Sequence, residues 1–332
     1  MKVAVIGSGA WGTALAIRLS KNGHDVTVWT FEKELIEEMT VTRRNPRLPG
    51  AVLPEGLKIS GDYACAKGAE MVVMASPSFP ARAVCRGVKE FIDPGAVVVS
   101  VTKGLEDGTH KRMSQVVAEE IGREVVALTG PSHAEEVSLD MPTGLLAACQ
   151  DQQKAEFVQN AFMSDVLRVY TSPDPVGAEL GAALKNVIAL CAGIADGLGC
   201  GDNTKAMLMT RGLTETARLG VALGAHKDTF AGLAGVGDLI VTCCSMHSRN
   251  RRAGILIGQG KSAQEAMKDV GAVVEGYYAA KAAYELGKAK NIDMPITEAA
   301  YKVLYEGADV KTTVHGLLRR SRRAEPEDAG WL

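Results

Sequence analysis

The chain begins with a short apolar segment that ends at a glycine. Val3 to Ile6 is rich in β-branched residues, as expected of a strand buried on both faces of a sheet. Gly7, Gly9 and Gly12 follow, and a helical pattern comes next. At this spacing the first glycine allows a tight turn, the second allows close approach to a pyrophosphate, and the third allows the helix to pack on the strand. The sequence therefore predicts a helix N-terminus that faces a phosphate.

The next segment fits a βαβ unit. Asp25–Trp29 has the pattern of a second strand, and Phe31 and Glu32 stand just past its end. An acidic side chain at that position can accept hydrogen bonds from the hydroxyls of an adenosine ribose. We therefore predict a Rossmann nucleotide site that includes Ala10 and Trp11 of the glycine turn together with Phe31 and Glu32.

Composition excludes several classes of protein. The formal net charge of −2 over 332 residues argues against broad binding of nucleic acids or membrane surfaces. Seven cysteines without a C-x-x-C spacing favour a reducing compartment, so we expect a cytoplasmic protein. We expect no apolar stretch to reach the length of a membrane span, about 20 residues. The six histidines show no metal-ligand spacing, and no metal is predicted.

Alternating strand and helix patterns continue to about residue 170, as in a doubly wound parallel sheet. Apolar strands are predicted at 71–75, 96–101 and 125–128, each followed by polar residues. Because ligands bind at the carboxyl edge of such a sheet, four strand ends are expected to meet at one crevice. The predicted fold class is α/β, a Rossmann-type sheet followed by an all-α substrate domain.

A double proline, Pro173 and Pro175, marks the predicted boundary between a nucleotide-binding domain, 1–172, and a helical domain, 173–332. The alanine-rich helical half is compatible with a homodimer. From Arg319 onward the residues have the character of a solvated charged tail.

Lys185 and Asn186 are the two strongly polar side chains on about four turns of apolar helix between Leu180 and Ala195. One interpretation is a thin exposed stripe. The alternative is a buried helix that directs the lysine into a cleft, where desolvation lowers its pKa and makes it a proton acceptor near neutral pH.

Two further polar segments lie in the helical half. A glycine-rich turn presents Asp238 and Thr242, and Ser248 is placed to cap a helix that carries Arg249 in its first turn. Such a helix start suits a phosphate monoester, although a solvated, capped helix would have the same pattern. The loop at 271–276, which precedes another predicted helix, does not by itself indicate a function.

Together these segments resemble the soluble NAD(P)-dependent glycerol-3-phosphate dehydrogenases, and the resemblance covers nearly the whole chain. It rests on six motifs in one order: Gly7–Ala14, Thr102–Glu106, Gly130–Glu135, Leu184–Asn186, Gly237–Leu239 and Ser248–Asn250.

The resemblance implies hydride transfer between a nicotinamide and carbon 2 of sn-glycerol 3-phosphate, which gives dihydroxyacetone phosphate and in bacteria supplies phospholipid synthesis. Lys185 matches the proton acceptor, and Lys103 matches a lysine that touches substrate and cofactor. The remaining matches are substrate contacts at Gly130, Ser132, Asn186, Asp238, Thr242, Ser248, Arg249 and Asn250, with cofactor contacts at Ala134, Arg249, Val273 and Glu275.

One position departs from the bacterial pattern, in which a basic residue commonly meets the 2′-phosphate of NADP. Here Phe31 and Glu32 stand in its place, as in the NAD-specific eukaryotic cytosolic branch. We therefore expect a preference for NAD, with NADP as a second cofactor.

Two other functions fit parts of the pattern. A β-hydroxyacid dehydrogenase or a ketopantoate reductase shares the expected fold, but the Ser248–Asn250 helix start favours a phosphorylated substrate. A nicotinamide sensor would not need a buried lysine, because removing one charge from water costs on the order of several kcal/mol.

Overall fold

The computed structural model describes residues 1–322 and 324–325. The first half contains an eight-stranded sheet in the order β3-β2-β1-β4-β5-β6-β7-β8. Strand β7 is antiparallel to β6, and the other neighbouring pairs are parallel. The strands are β1 Lys2–Ile6, β2 Asp25–Trp29, β3 Lys58–Ser60, β4 Met71–Met74, β5 Val97–Ser100, β6 Val125–Thr129, β7 Thr143–Ala148 and β8 Leu167–Ser172.

Helices connect these strands and cover the sheet. Val3 and Val5 of β1 belong to one apolar cluster, whereas Ala4 and Ile6 belong to another. Because successive side chains of a strand point to opposite faces, both faces of β1 are buried, which explains its continuous apolar sequence. The helices of this half are α1 Ala10–Lys21, α2 Lys33–Thr42, α3 Ala81–Val88, α4 Met113–Ile121, α5 Ala134–Ser138 and α6 Gln152–Phe162.

The predicted fold class is confirmed, and the strands predicted at 71–75, 96–101 and 125–128 are β4, β5 and β6. Strands β3, β7 and β8 were not predicted, and the two edge strands β3 and β8 have a common reason. Strand β3 has only three residues, and β8 alternates buried and exposed positions at the opposite edge of the sheet. These strands lack the uninterrupted apolar run of a strand buried on both faces.

The sheet contains a topological switch point beside β1, which lies between β2 and β4. At such a point the connections leave on opposite faces of the sheet and open a crevice at the carboxyl ends of the strands. Strands β1, β4, β5 and β6 are consecutive in the sheet, so their carboxyl ends lie side by side.

The second half is built around α7, Pro175–Gly197. Asp174 caps this helix by accepting a hydrogen bond from the backbone N–H of Gly177 at 2.8 Å. The other helices that the structure describes after Ser172 are α8 Asp202–Ala222, α9 Asp238–Cys244, α10 Arg249–Gly258, α11 Ala263–Val270, α12 Glu275–Ala289, α13 Pro295–Tyr305 and α14 Val310–Leu318. Of the predicted tail, Arg320 pairs with Asp293 at 2.9 Å, while Arg323 and residues 326–332 lie outside the described residues.

Helix α7 corrects one expectation from the sequence. Its 23 residues are long and apolar enough to cross a membrane by length and composition, although no stretch of that length was expected. The most apolar window of the helix is 94% buried inside the protein, as in the central helix of a folded core.

Glu179 connects α7 to the sheet half. Its carboxylate accepts hydrogen bonds from the backbone N–H of Ser114 at 2.7 Å and from the Ser114 hydroxyl at 2.5 Å, and it also pairs with Arg112. It therefore occupies the N-terminus of α4, where a negative charge is stabilised by the free N–H groups.

Helices α7 and α10 pack through facing glycines. A Cβ added at Gly254 would lie 2.0 Å from the carbonyl oxygen of Leu190, and one at Gly193 would lie 2.1 Å from that of Arg251. Gly197 and Gly258 are equally restricted, each with a backbone carbonyl within 2.3 Å of the added atom. The two backbones therefore touch along a seam that admits no side chain.

We predict that Gly254→Ala destabilises the protein by about 1–3 kcal/mol, the usual cost of overpacking, because the rigid backbone of α7 cannot move aside. The matched control is Gly316→Ala in α14, where the added Cβ meets nothing within 4 Å. That control should stabilise the protein by about 0.5–1 kcal/mol, since alanine favours a helix. Urea unfolding measures both changes, and equal stability of the two variants would contradict the packing argument.

Candidate active site

The three glycines of the β1–α1 turn have different surroundings. Gly7 has a φ of +131°, and a Cβ there would lie 2.6 Å from the carbonyl oxygen of Ala75. A Cβ at Gly12 would lie 2.3 Å from the carbonyl oxygen of Gly7, whereas one at Gly9 meets nothing within 4 Å. Backbone at Gly9 is therefore open to an approaching group, and α1 starts beside it without a side-chain cap. This turn fits the pyrophosphate of a dinucleotide.

Asn45 holds this turn in place, a role that the sequence did not reveal. The side-chain amide of Asn45 donates to the carbonyl oxygen of Ser8 at 2.8 Å and to the hydroxyl of Thr13 at 2.7 Å. Asn45 is 2% exposed. It lies in a loop after α2, about 35 residues from the turn, and no local motif marks such a contact.

Glu32 is also partnered. The guanidinium of Arg47 donates to both of its carboxylate oxygens, at 2.8 and 2.6 Å, in a bidentate ion pair. Phe31 beside it is 75% exposed, and Trp11 in the glycine turn has a buried indole N–H without a partner among the described residues. The sequence predicted the carboxylate after β2 but not the arginine that faces it.

A buried carboxylate joins two lysines at the crevice. Lys185, at the middle of α7, donates from its amine to one carboxylate oxygen of Asp238 and to the hydroxyl of Thr242 at 2.7 Å. Lys103, in the loop after β5, donates to the other carboxylate oxygen at 2.9 Å. Asp238 is 1% exposed and Lys185 is 7% exposed. The exposed-stripe interpretation of Lys185 is therefore wrong, and the amine is buried, as the alternative interpretation expected.

Close backbone packing brings Asp238 to Lys185. A π-helical turn, Leu233–Gly237, precedes α9 and lies against α7, where a Cβ at Gly181 would stand 2.5 Å from the carbonyl oxygen of Ala234. Asp238 is then the first residue of α9. One turn later, the hydroxyl of Thr242 donates to the carbonyl oxygen of Asp238 at 2.6 Å. The hydroxyl oxygen of Thr242 can therefore accept a hydrogen bond from Lys185.

Lys103 connects this cluster to the end of β6. Its amine donates to the carbonyl oxygen of Gly130 at 2.9 Å and approaches the hydroxyl of Ser132 at 3.4 Å. Gly130 has a φ of +131°, a conformation that favours glycine. Residues from two strand ends and two helices therefore meet at one point.

Burial lowers the pKa of Lys185 to about 8. The negative charge of Asp238 acts in the opposite direction and the positive charge of Lys103 in the same direction, but removal from water is the largest contribution. The amine can therefore both accept and release a proton close to neutral pH.

The predicted start of α10 is also present. The hydroxyl of Ser248 accepts a hydrogen bond from the backbone N–H of Arg251 at 3.2 Å, so Ser248 caps the helix as predicted. Arg249 is exposed at its first position. Asn250 donates to the side-chain oxygen of Asn186 at 2.9 Å and accepts from the backbone N–H of Gly276 at 2.8 Å.

Asn250 thus fixes the start of α12 beside α7. The carboxylate of Glu275, at the first position of α12, accepts a hydrogen bond from the hydroxyl of Ser78 at 3.1 Å. Ser78 belongs to the loop after β4, so this contact crosses between the two halves, and burial raises the pKa of Glu275. Of the other predicted cofactor residues, Val273 is exposed and Ala134 is buried at the start of α5.

Within residues 1–322 and 324–325, no group of three or more His, Cys, Asp or Glu side chains is placed to hold a metal ion.

Comparisons with known proteins agree over both halves. The sequence profile described as NAD-dependent glycerol-3-phosphate dehydrogenase N-terminus matches residues 2–155, and the corresponding C-terminus profile matches residues 174–315. A glycerol-3-phosphate dehydrogenase [NAD(P)+] from Desulfitobacterium hafniense is 51% identical over 333 residues, covering 100% of this chain and 95% of the relative. One from Thermoanaerobacter sp. is 50% identical, covering 98% and 99%.

Solved structures show the same similarity. The glycerol-3-phosphate dehydrogenase of Coxiella burnetii superposes with a TM-score of 0.92 at 37% identity, covering 96% of this chain and 99% of that one. A ketopantoate reductase from Ralstonia eutropha has a TM-score of 0.61 at 17% identity, covering 96% and 100%, and shares the fold alone. The chain therefore belongs to the NAD-dependent glycerol-3-phosphate dehydrogenase family.

Proposed function

We propose that this chain interconverts sn-glycerol 3-phosphate and dihydroxyacetone phosphate with NAD(H). The observation that carries the proposal is the buried cluster of Lys185, Asp238 and Lys103 at the carboxyl edge of the sheet. When bound, the nicotinamide supplies or accepts the hydride. The family profiles and relatives at about half identity support this substrate.

In the proposed mechanism Lys185 exchanges the proton of the hydroxyl at carbon 2. It is neutral when alcohol oxidation begins and charged when ketone reduction begins. Asp238 and Thr242 hold its amine in one position and stabilise the charged form. Lys103, held by Gly130, would direct its positive charge at the oxygen on carbon 2 and stabilise negative charge there.

The phosphate end of the substrate is assigned to the start of α10. The free N–H groups of a capped helix and the exposed guanidinium of Arg249 would bind the phosphate and so orient carbon 2. Further substrate contacts are proposed at Ser132, Asn186, Ser248 and Asn250. Cofactor contacts are proposed at Gly7, Gly9, Ala10, Trp11, Gly12, Phe31, Glu32, Lys103, Ala134, Arg249, Val273 and Glu275.

We further propose two units, 1–172 for the cofactor and 173–332 for the substrate, in a cytoplasmic enzyme that supplies glycerol 3-phosphate for phospholipid synthesis. It is expected to act without nucleic acid or a membrane, and the alanine-rich helical half suits a homodimer. NAD is proposed as the preferred cofactor because the negative charge of Glu32 suits ribose hydroxyls better than a phosphate.

The first test is Lys185→Ala, which should lower kcat for dihydroxyacetone phosphate reduction by about 100- to 10,000-fold, the usual contribution of a general acid or base. NADH binding, followed by fluorescence titration, should be retained. Lys302→Ala, which removes a half-exposed lysine of α13, is the matched control and should leave kcat unchanged. Full activity of Lys185→Ala, or turnover confined to hydroxy acids without a phosphate, would overturn the proposal.

The second test is the pH dependence, which follows from the lowered pKa of Lys185 at about 8. Oxidation of glycerol 3-phosphate needs the neutral amine, so kcat/KM should rise with pH and level off above about pH 8. Reduction needs the charged amine and should fall above the same pH. Steady-state rates in both directions check the profile, and a rise in both directions with pH would contradict the assigned role.

The third test concerns the cofactor. We expect a higher kcat/KM with NADH than with NADPH at saturating dihydroxyacetone phosphate, because Glu32 repels a 2′-phosphate. The two cofactors are compared at the same pH and ionic strength, since charge repulsion at an exposed site is screened by salt. A higher value with NADPH would show that the inference from Glu32 is wrong.

A further inference from the structure

The ion pair between Glu32 and Arg47 places two opposite charges at the end of β2. The two terminal guanidinium nitrogens of Arg47 donate to the two carboxylate oxygens of Glu32, at 2.8 and 2.6 Å. The side chain of Arg47 remains 46% exposed and that of Glu32 29% exposed. An exposed pair of this kind contributes little to stability, so it can open at small cost when a ligand offers a better partner to either side chain.

The backbone of Arg47 is held by a hydrogen bond to a buried residue. Its N–H donates to the side-chain oxygen of Asn45 at 2.9 Å, and Asn45 is the buried residue that anchors the glycine turn through Ser8 and Thr13. The position of Arg47 is therefore fixed relative to the glycine turn. Arg47 lies in the loop after α2, whereas Glu32 precedes that helix.

We infer that Arg47 is a specificity residue that lets this chain accept a 2′-phosphorylated dinucleotide despite Glu32. This inference rests on the proposed function. With a ribose that carries a free 2′-hydroxyl, Arg47 remains paired with Glu32, and the Glu32 carboxylate also accepts hydrogen bonds from the ribose hydroxyls. With a 2′-phosphate, Arg47 leaves Glu32 and donates to the phosphate oxygens, for which a planar guanidinium is well suited.

Arg47 thus exchanges the Glu32 carboxylate for the 2′-phosphate at the same site. Glu32 alone would repel a doubly charged phosphate, and Arg47 alone would draw it strongly, so the paired state gives an adenosine site of intermediate charge. Glu32 supplies the negative charge at the end of β2, and Arg47 supplies the positive charge that faces it from the loop after α2.

Direct binding provides the test. Isothermal titration of the purified protein with adenosine 2′,5′-bisphosphate and with adenosine 5′-monophosphate measures the contribution of the 2′-phosphate without turnover. Arg47→Met should weaken binding of the bisphosphate by about tenfold to a hundredfold, as expected for loss of a charge-assisted bidentate contact, and the monophosphate by less than about threefold. Arg44→Met, at the exposed arginine nearby, is the matched control and should change neither.

A double-variant comparison separates a direct contact from a structural effect. Glu32→Gln should strengthen bisphosphate binding several-fold, and adding Arg47→Met to Glu32→Gln should still weaken it by about tenfold or more, because a guanidinium that contacts the phosphate does so without Glu32. Equal weakening of both ligands in Arg47→Met, or no weakening of bisphosphate binding when Arg47→Met is added to Glu32→Gln, would overturn the inference. Because binding is measured on the free protein, these outcomes are independent of whether dihydroxyacetone phosphate is the substrate.

Discussion

The arrangement of this protein depends on placing the ammonium of Lys185 inside the molecule. Removal of a charge from water is costly, and the cost is met here by a carboxylate oxygen of Asp238 and the hydroxyl of Thr242. The second oxygen of Asp238 is used by Lys103, so neither oxygen of a nearly fully buried carboxylate lacks a partner. Burial lowers the pKa of Lys185 and the shared carboxylate opposes that shift, so the amine lies near the boundary between charged and neutral, where proton exchange is easiest.

Backbone packing makes this placement possible. Glycines at 181, 193 and 254 let the π-helical turn and α10 touch the backbone of α7 directly. The same contact brings Asn250 within hydrogen-bond distance of Asn186, and through Gly276 it fixes the start of α12. Polar groups of the site are thus positioned by rigid helices more than by loops, which suits a reaction that needs accurate orientation.

Much of the fold and part of the site could be predicted from the sequence. The glycine spacing, the apolar runs of β1, β4, β5 and β6, and the isolated Lys185 on an apolar helix each have a local physical cause. Asn45, Arg47 and Ser78 could not be found this way, because each is an ordinary polar residue whose partner is distant in sequence. Long-range hydrogen bonds produce no periodic pattern in the sequence, and the three residues of the edge strand β3 are too few to produce a clear one.

The glycine seam between α7 and α10 has a consequence for redesign. A surface with no space for a methyl group cannot be repacked by single substitutions, so the distance between Asn186 and the start of α10 is effectively constant. Attempts to admit a longer or bulkier phosphorylated alcohol should leave both helices intact. Variation is better directed to the exposed positions of the two connecting segments, Met246 and His247 before α10 and residues 271–273 before α12.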